Sequence, residues 1–388
     1  SGDRIASAGI ISFQPDHREN ARQTFEYLGQ TELVHGRKIT CDIVRDADIL
    51  IVRSITQVNK DLLDGSRVRF VGTATIGTDH IDTGYLAEKG IGFSSAKGCN
   101  SDAVAEYVFI SIFRAAVRKG ITLKGKSIGI VGCGNIGSRV ERIGKAFGFE
   151  TVVNDPPLQR ETGDPKFRTL EEALRCDIIT FHTPLNRTGV DRTFHLLDEG
   201  GMKLLKNDAI VINASRGEVI DNTAFDLKLS ESNVTAILDV WEGEPVFSPS
   251  LLAKTFIASP HVAGYSLEGK INGTVIIHDA LCDFLGLERQ LPPALPVVEN
   301  NVVEYMDTGS FEETVERILC SYYDPDLDTT AMRETAKLPD LERGAAFDGL
   351  RKNYKLRREY TNYIIKGKIV DPVIKAGLQA LRYNFSGD

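Results

Sequence analysis

Residues 131–137 (VGCGNIG) carry three glycines in the spacing G-x-G-x-x-G. The apolar residues 127–132 predict a strand before them, and residues 138–143 have the pattern of a helix. In such a strand–turn–helix, the glycines allow the tight turn, the approach of a pyrophosphate and close helix packing, and the helix N-terminus offers free N–H groups. The segment predicts a dinucleotide-binding loop made of Gly132, Gly134, Asn135, Ile136 and Gly137.

An acidic residue at a suitable distance supports this interpretation. Residues 151–154 predict a second strand, and Asp155 follows it, 21 positions after Gly134. An acid there binds ribose hydroxyls and repels the 2′-phosphate of NADP. The sequence therefore favours NAD as cofactor, although Arg160 keeps NADP open, and a glycine-rich turn without a ligand is the alternative.

Composition limits the classes of function. The chain has 388 residues, which predicts two or three domains, and a net charge of −8, which argues against nucleic acid or an anionic membrane as partner. The six cysteines form no C-x-x-C pair and no apolar run approaches 18 residues, so we expect no metal site, no membrane span and a cytoplasmic location. Residues 1–9 are small and polar and are expected to be a frayed end.

Strand-like and helix-like segments alternate along most of the chain, which predicts an α/β fold with parallel sheets. We expect two Rossmann-like, doubly wound lobes and a small C-terminal α+β dimerisation domain. The predicted boundaries are 10–97 with 263–290 for a substrate-binding lobe, 98–262 for an NAD-binding lobe, and 297–388 for the C-terminal domain. The strand candidates of the NAD-binding lobe are residues 127–132, 151–154, 178–182, 209–213, 236–240 and 256–259.

Charged residues follow three of these strand candidates. Arg216 follows one, Glu244 comes shortly after the next, and His261 follows the last. Ligands of open α/β sheets bind beyond the carboxyl ends of the strands, so these residues are expected to converge. Oxidation of a 2-hydroxy acid needs a cation for the carboxylate, a base for the hydroxyl proton and an acid to orient that base. His80, His182 and His195 remain rival bases.

The stretches GIVGCGNIG, TFHTPLNRTG, VINASRGEVID, LDVWEGEP and SPHVAGY resemble the D-2-hydroxyacid dehydrogenase family. The resemblance implies NAD-dependent hydride transfer with Arg216, Glu244 and His261 as the catalytic set. It also implies that six residues bind NAD and three touch the substrate. The implied NAD residues are Asp155, Thr183, Ala214, Ser215, Asp239 and Gly264, and the implied substrate residues are Ser54, Thr75 and Tyr265.

A narrower resemblance runs from about residue 45 to the end and rests on the stretches VRSIT, FVGTATIGTDHID, GIGFSSAKGCNSDAVAEYV, NDPP, FRTLEEAL, AGYSLEGK and LRKNYKLRREY. These stretches resemble a branch of the family that acts in pyridoxal 5′-phosphate (pyridoxine) biosynthesis. This resemblance implies a small phosphorylated 2-hydroxy acid, 4-phospho-D-erythronate, as substrate. Arg53 and Ser54 after one strand, and Thr73 and Thr75 after another, are candidates for its phosphate. The alternatives are another enzyme of the family, such as a 3-phosphoglycerate dehydrogenase, and a non-catalytic NAD-sensing adaptor.

The basic run RKNYKLRRE (residues 351–359) stands out in an acidic chain. One interpretation is a solvated helix face. The other is that the C-terminal domain forms a homodimer and lends a basic residue to the neighbour's active site.

Overall fold

A computed structural model describes residues 5–13, 22, 24–290, 294–307 and 309–386. They form two compact units, Ser1–Asn100 with Leu267–Val297, and Ser101–Ser266 with Val298–Asp388. Residues 14–21 of the predicted substrate-binding lobe and residues 291–293 lie outside the described part. Among the described residues, no helix is both long and apolar enough to cross a membrane.

Short strands alternate with helices throughout both units. The strands are β1 Ile5–Phe13, β2 Gly29–His35, β3 Ile49–Val52, β4 Phe70–Thr73, β5 Gly92–Ser95, β6 Ser127–Val131, β7 Glu150–Asn154, β8 Ile178–Phe181, β9 Ile210–Asn213, β10 Thr235–Leu238, β11 Ile257–Ala258, β12 Val302–Glu304, β13 Ile364–Lys366 and β14 Asn384–Ser386. The helices are α1 Cys41–Val44, α2 Lys60–Leu63, α3 Thr83–Glu88, α4 Ser101–Lys119, α5 Gly137–Ala146, α6 Pro156–Thr162, α7 Leu170–Leu174, α8 Glu199–Met202, α9 Asn222–Glu231, α10 Pro249–Lys254, α11 Leu267–Leu285, α12 Phe311–Leu319, α13 Pro325–Thr335, α14 Asp340–Lys352 and α15 Pro372–Ala380.

The first unit is built on a parallel five-stranded sheet in the order β2-β1-β3-β4-β5. Helix α11 packs on this sheet, where Gly72 leaves room for the Ile277 side chain. The expectation of a frayed end over residues 1–9 is wrong from Ile5 onwards. Strand β1 lies inside the sheet, with Gly9 paired to Thr31 of β2 and to Ile49 of β3. Backbone hydrogen bonds to two neighbours order this segment, which composition alone does not reveal.

The second unit contains a parallel six-stranded sheet in the order β11-β10-β9-β8-β6-β7. Each strand lies within one or two residues of its candidate in the sequence, and the predicted α/β fold class is confirmed. The strand order reverses direction at β6, because β7 lies on one side of it and β8 on the other. Ligands bind at such a switch point in doubly wound folds.

Residues 298–388 share a core with the six-stranded part of this unit. The three strands β12, β13 and β14 pair in parallel, and Val315 and Leu319 of α12 belong to the same buried cluster as Phe109 and Phe113 of α4. Helices α12, α13 and α14 lie between β12 and β13 in the described part of the chain. The division into three domains stays a prediction.

The interpretation of residues 351–359 as a solvated helix face is wrong. Helix α14 ends at Lys352, and Arg357 is buried. Its guanidinium donates to the carbonyl oxygens of Ala103, Val262 and Ala263. Because charged groups are buried only with partners, these three acceptors explain how a basic residue can lie inside the protein.

Candidate active site

The glycine loop lies between β6 and α5, as the sequence predicts. Gly132 has φ +91°, and a side chain there would lie 2.7 Å from the carbonyl oxygen of His182, so only glycine fits. Gly134 is exposed and has open space around it, so packing within the protein does not explain the absence of a side chain. Ile136, at the N-cap of α5, makes no side-chain capping hydrogen bond. The loop thus presents an uncapped helix N-terminus with room for a ligand.

Asp155 lies directly beside this loop, at the end of β7. Its Oδ2 accepts a hydrogen bond from the Cys133 N–H at 2.7 Å, and its Oδ1 caps α6 through the Leu158 N–H at 3.0 Å. These two bonds hold the carboxylate at the edge of the loop. Its place matches the expected contact with the adenosine ribose, which stays a prediction.

Two polar atoms on the loop after β8 bear on cofactor binding. Thr183 Oγ1 and His182 Nδ1 are buried and have no hydrogen-bond partner among the described residues. Buried polar groups are almost always paired, so an unpaired hydroxyl next to the glycine loop fits a cofactor that would supply the partner. Burial lowers the pKa of His182 to about 3, so this ring is neutral and suits neither proton transfer nor an anion.

The loop that carries Arg216 is held by a residue that the sequence analysis did not single out. Asn213 is fully buried at the end of β9, and its Oδ1 accepts from both the N–H and the hydroxyl of Ser215. Its Nδ2 donates to the carbonyl oxygen of Arg216 at 2.9 Å. Ala214 and Ser215 are buried on this turn, while Arg216 remains partly exposed. The signal for Asn213 in the sequence was a polar residue at the end of an otherwise apolar strand.

The loops after β9, β10 and β11 are in contact with one another. A side chain on Gly217 would lie 2.0 Å from the carbonyl carbon of Trp241, so the backbone beside Arg216 touches the backbone that leads to Glu244. The His261 N–H donates to the Asp239 carbonyl oxygen at 2.7 Å. The structure therefore brings together the three loops that carry Arg216, Glu244 and His261.

Glu244 and His261 form a hydrogen-bonded pair in which each side chain is held in place. Glu244 Oε2 lies 2.9 Å from His261 Nδ1, and Glu244 Oε1 accepts from the Trp241 N–H at 2.9 Å. Burial alone would raise the pKa of Glu244, but His261, the Trp241 N–H and Arg351 hold it below its usual value. Because a carboxylate only accepts, Nδ1 carries the proton and Nε2 is the nitrogen available to a substrate hydroxyl.

His261 also has a strained backbone. Its φ is +59°, in the left-handed region that side chains other than glycine rarely adopt. Such strain costs on the order of 1 kcal/mol or more and is concentrated at functional sites. The surrounding hydrogen bonds offset it: Asp239 Oδ1 accepts from the N–H groups of Val262 and Ala263 and from the Ser259 hydroxyl. Asp239 thus shapes the loop of His261, and its expected contact with NAD stays a prediction.

Gly264 and Tyr265 continue the same loop. The Tyr265 N–H donates to the Val262 carbonyl oxygen at 2.8 Å, and its ring meets the Tyr354 ring edge-on with centroids 5.9 Å apart. Gly264 accepts from the Ser266 N–H at 3.1 Å. Both residues therefore follow His261 on an ordered turn, and their expected roles remain predictions.

The rival histidines have other partners. His80 is buried and bonds to Thr73 Oγ1, and His182 bonds to Thr180 Oγ1. His195 bonds to Glu242 Oε1 at 2.8 Å. His195, Glu242 and Asp221 could together hold a metal ion, but Asp221 already caps α9 and Glu242 accepts from the Asn222 N–H. These contacts explain the cluster without an ion.

The remaining predicted substrate residues belong to the first unit. Arg53 and Ser54 follow β3, and Thr75 follows β4, the neighbouring strand, so they share the carboxyl edge of that sheet. The Thr75 hydroxyl bonds to Thr73 Oγ1 at 2.8 Å and donates to the Gly77 carbonyl oxygen. The structure thus brings the phosphate candidates of this unit to one edge.

Family models match two parts of the chain. Residues 104–263 match the NAD binding domain of D-isomer specific 2-hydroxyacid dehydrogenases. Residues 294–381 match a family described only as a domain of unknown function. The first match contains the glycine loop and the loops of Arg216, Glu244 and His261.

Solved structures share the fold. One is an NAD⁺-bound 3-phosphoglycerate dehydrogenase from Entamoeba histolytica, with a TM-score of 0.61 and 24% identity over 75% of this chain and 100% of that chain. Another is a D-lactate dehydrogenase from Aquifex aeolicus in complex with NAD and lactic acid, with a TM-score of 0.57 and 21% identity over 72% of this chain and 95% of that chain. At this identity they show the fold alone.

Sequence relatives are much closer. An erythronate-4-phosphate dehydrogenase from Marinobacter nauticus is 42% identical over 365 residues, which cover 92% of this chain and 95% of that protein. Enzymes of the same name from Cronobacter sakazakii and Escherichia coli are 43% and 44% identical, over 94% and 89% of this chain and 95% and 91% of their own lengths. The chain therefore belongs to the erythronate-4-phosphate dehydrogenase branch of the D-2-hydroxyacid dehydrogenase family and is an NAD-dependent dehydrogenase.

Proposed function

We propose that the chain oxidises 4-phospho-D-erythronate to 3-hydroxy-2-oxo-4-phosphooxybutanoate with NAD, as a step of pyridoxal 5′-phosphate biosynthesis. The observation that carries the proposal is the Glu244–His261 pair, which joins two strand-end loops, one of which contacts the strand-end loop of Arg216. The names of the curated relatives support the choice of substrate.

The proposed chemistry assigns one task to each of the three residues. Arg216 binds the substrate carboxylate through its planar guanidinium. His261 Nε2 accepts the proton of the C2 hydroxyl while the C2 hydrogen leaves as hydride, and a carbonyl forms at C2. Glu244 stabilises the imidazolium that results. Bound NAD supplies the hydride acceptor, held by the glycine loop, Asp155 and the loops of Thr183 and Ser215.

A panel of acids tests the substrate. With NAD present, we expect kcat/KM for 4-phospho-D-erythronate to exceed that for D-erythronate and D-lactate by roughly 100-fold or more, because a site built for a charged group loses binding energy when that group is missing. D-3-phosphoglycerate keeps the phosphate on a shorter chain, and a higher kcat/KM for it would favour the 3-phosphoglycerate dehydrogenase alternative. NADH absorbance gives the rates. Equal rates with unphosphorylated acids would remove the substrate proposal and leave the family assignment. NAD binding without turnover of any acid would favour the adaptor hypothesis instead.

We further propose that the chain forms a homodimer through its C-terminal residues and works in the cytoplasm. Several large apolar side chains of this region are exposed and are the candidates for a subunit interface. They are Met306, Leu327, Leu341 and Val370. We expect light scattering to give about twice the 42.7 kDa of one chain. The double variant L341E/V370E should shift the mass towards one chain, and a wild-type monomer would contradict the proposal.

A further inference from the structure

Helix α14, in the C-terminal part of the chain, packs against the segment that follows Glu244. A side chain on Gly344 would lie 3.3 Å from Val246 Cγ2 and 3.5 Å from Pro245 Cγ. One turn later, the Phe347 and Phe247 rings lie 5.7 Å apart. These contacts fix the position of the helix next to the loop of Glu244, so its last turn, with Arg351, lies at a defined place.

Arg351 is a partly buried cation beside the Glu244–His261 pair. Its guanidinium makes a hydrogen bond with Tyr265, and its charge acts on Glu244. Its centre lies 5.9 Å from the Phe347 ring centroid, within the range of a cation–π contact. Burial alone would lower the pKa of Arg351, but Tyr265 and Glu244 raise it above the usual value, so the group is always charged.

One donor of Arg351 is not used within the protein. Its Nε is buried and has no hydrogen-bond partner in the part of the chain that the structure describes. An unpaired buried donor on a charged group is costly, and an anion that accepts from it would remove the cost. The neighbouring Arg357 contrasts with it, because that guanidinium already donates to three carbonyl oxygens.

Tyr265, which is hydrogen-bonded to Arg351, is itself held in place by residues of the C-terminal region. The Tyr354 ring packs edge-on against Tyr265, and the Tyr354 hydroxyl donates to Asp328 Oδ2 at 3.1 Å. The Tyr323 hydroxyl donates to the same oxygen at 2.7 Å. Asp328 of α13 therefore holds Tyr265 through Tyr354, and the last turn of α14 places Arg351 beside Tyr265 on the loop of His261.

We propose that Arg351 binds the phosphate of the substrate in the active site of its own chain, which gives the C-terminal domain of unknown function a role in substrate selection. The inference rests on the proposed function. A phosphorylated 2-hydroxy acid carries two anionic groups, and Arg216 accounts for the carboxylate. A protein with a net charge of −8 needs a local cation for the second group, and Arg351 supplies one whose buried Nε has no partner among the described residues. The sequence-based hypothesis placed this basic residue in the neighbour's active site; the inference places it in the same chain.

The variants Arg351→Met and Arg351→Lys test the proposal, with Lys352→Met as matched control, because Lys352 is the exposed next residue. For each protein, kcat and KM are measured with 4-phospho-D-erythronate and with D-erythronate. We expect Arg351→Met to raise KM for the phosphorylated acid and to lower the ratio of the two kcat/KM values by roughly 10- to 100-fold, the value of a charge-assisted hydrogen bond. Arg351→Lys should keep part of the selectivity, and Lys352→Met should keep all of it.

The failures of the two proposals are distinguishable. If the wild-type enzyme does not prefer the phosphorylated acid, the proposed function fails whatever the variants do. If it does, and Arg351→Met lowers kcat/KM for both acids by the same factor or lowers kcat at constant KM, Arg351 acts only through Glu244 and the phosphate proposal is overturned. Titration of NADH fluorescence shows that each variant is folded and binds the cofactor.

Discussion

Replacement of His261 by alanine is expected to lower kcat by about 10²- to 10⁴-fold, the range of a general base, while the affinity for NAD stays within a few-fold of wild type. The reason is geometric. His261 Nδ1 is committed to Glu244 at 2.9 Å, which leaves Nε2 to accept the hydroxyl proton. Stopped-flow formation of NADH in a single turnover measures the step, and titration with NADH measures cofactor binding.

His195→Ala is the matched control for this experiment. His195 also pairs with a glutamate, Glu242, and also has a positive φ, so its removal causes a similar local change without touching Glu244. We expect the control to keep its turnover within a few-fold. If His261→Ala stays active while His195→Ala does not, the assignment of the base is wrong and the Glu242 pair takes its place.

The sequence predicts the strands and the glycine loop of this site well, because both depend on local patterns of residues. Apolar runs mark the strands of the six-stranded sheet, and the glycine spacing with Asp155 marks the turn at which the strand order reverses. Arg216, Glu244 and His261 follow successive strands of a parallel sheet, so their convergence follows from topology alone. Spacing along the chain carried this information without any knowledge of side-chain contacts.

The sequence does not predict contacts made across long separations. Asn213 looks like the polar end of a strand, and only its three hydrogen bonds show that it holds the turn of Arg216. Arg351 and Arg357 stand in one basic run, yet the fold buries Arg357 against backbone carbonyls and leaves Arg351 with an unpaired Nε. Both arginines carry the same charge in the same basic run, and only tertiary packing decides which of them finds hydrogen-bond partners.

The second large effect is expected from Glu244→Gln, which keeps the shape of the side chain and removes its charge. In the wild type one oxygen accepts from the Trp241 N–H and the other from His261 Nδ1–H. An amide has one oxygen, so if it stays with the Trp241 N–H, its NH₂ group faces Nδ1. The ring proton must then move to Nε2, which can no longer accept the hydroxyl proton. We expect kcat to fall by roughly 100-fold or more, with NAD affinity retained.

Glu242→Gln is the control for this change, since Glu242 orients His195 and not His261. Single-turnover rates of hydride transfer should separate the two variants, with the Glu242 variant close to wild type. Glu244→Asp keeps the charge but shortens the side chain, so it should fall between Glu244→Gln and wild type. Wild-type rates for Glu244→Gln would mean that the charge and the proton position on His261 do not limit the reaction. The assignment of His261 as the base and Glu244 as its orienting acid would then have to be abandoned.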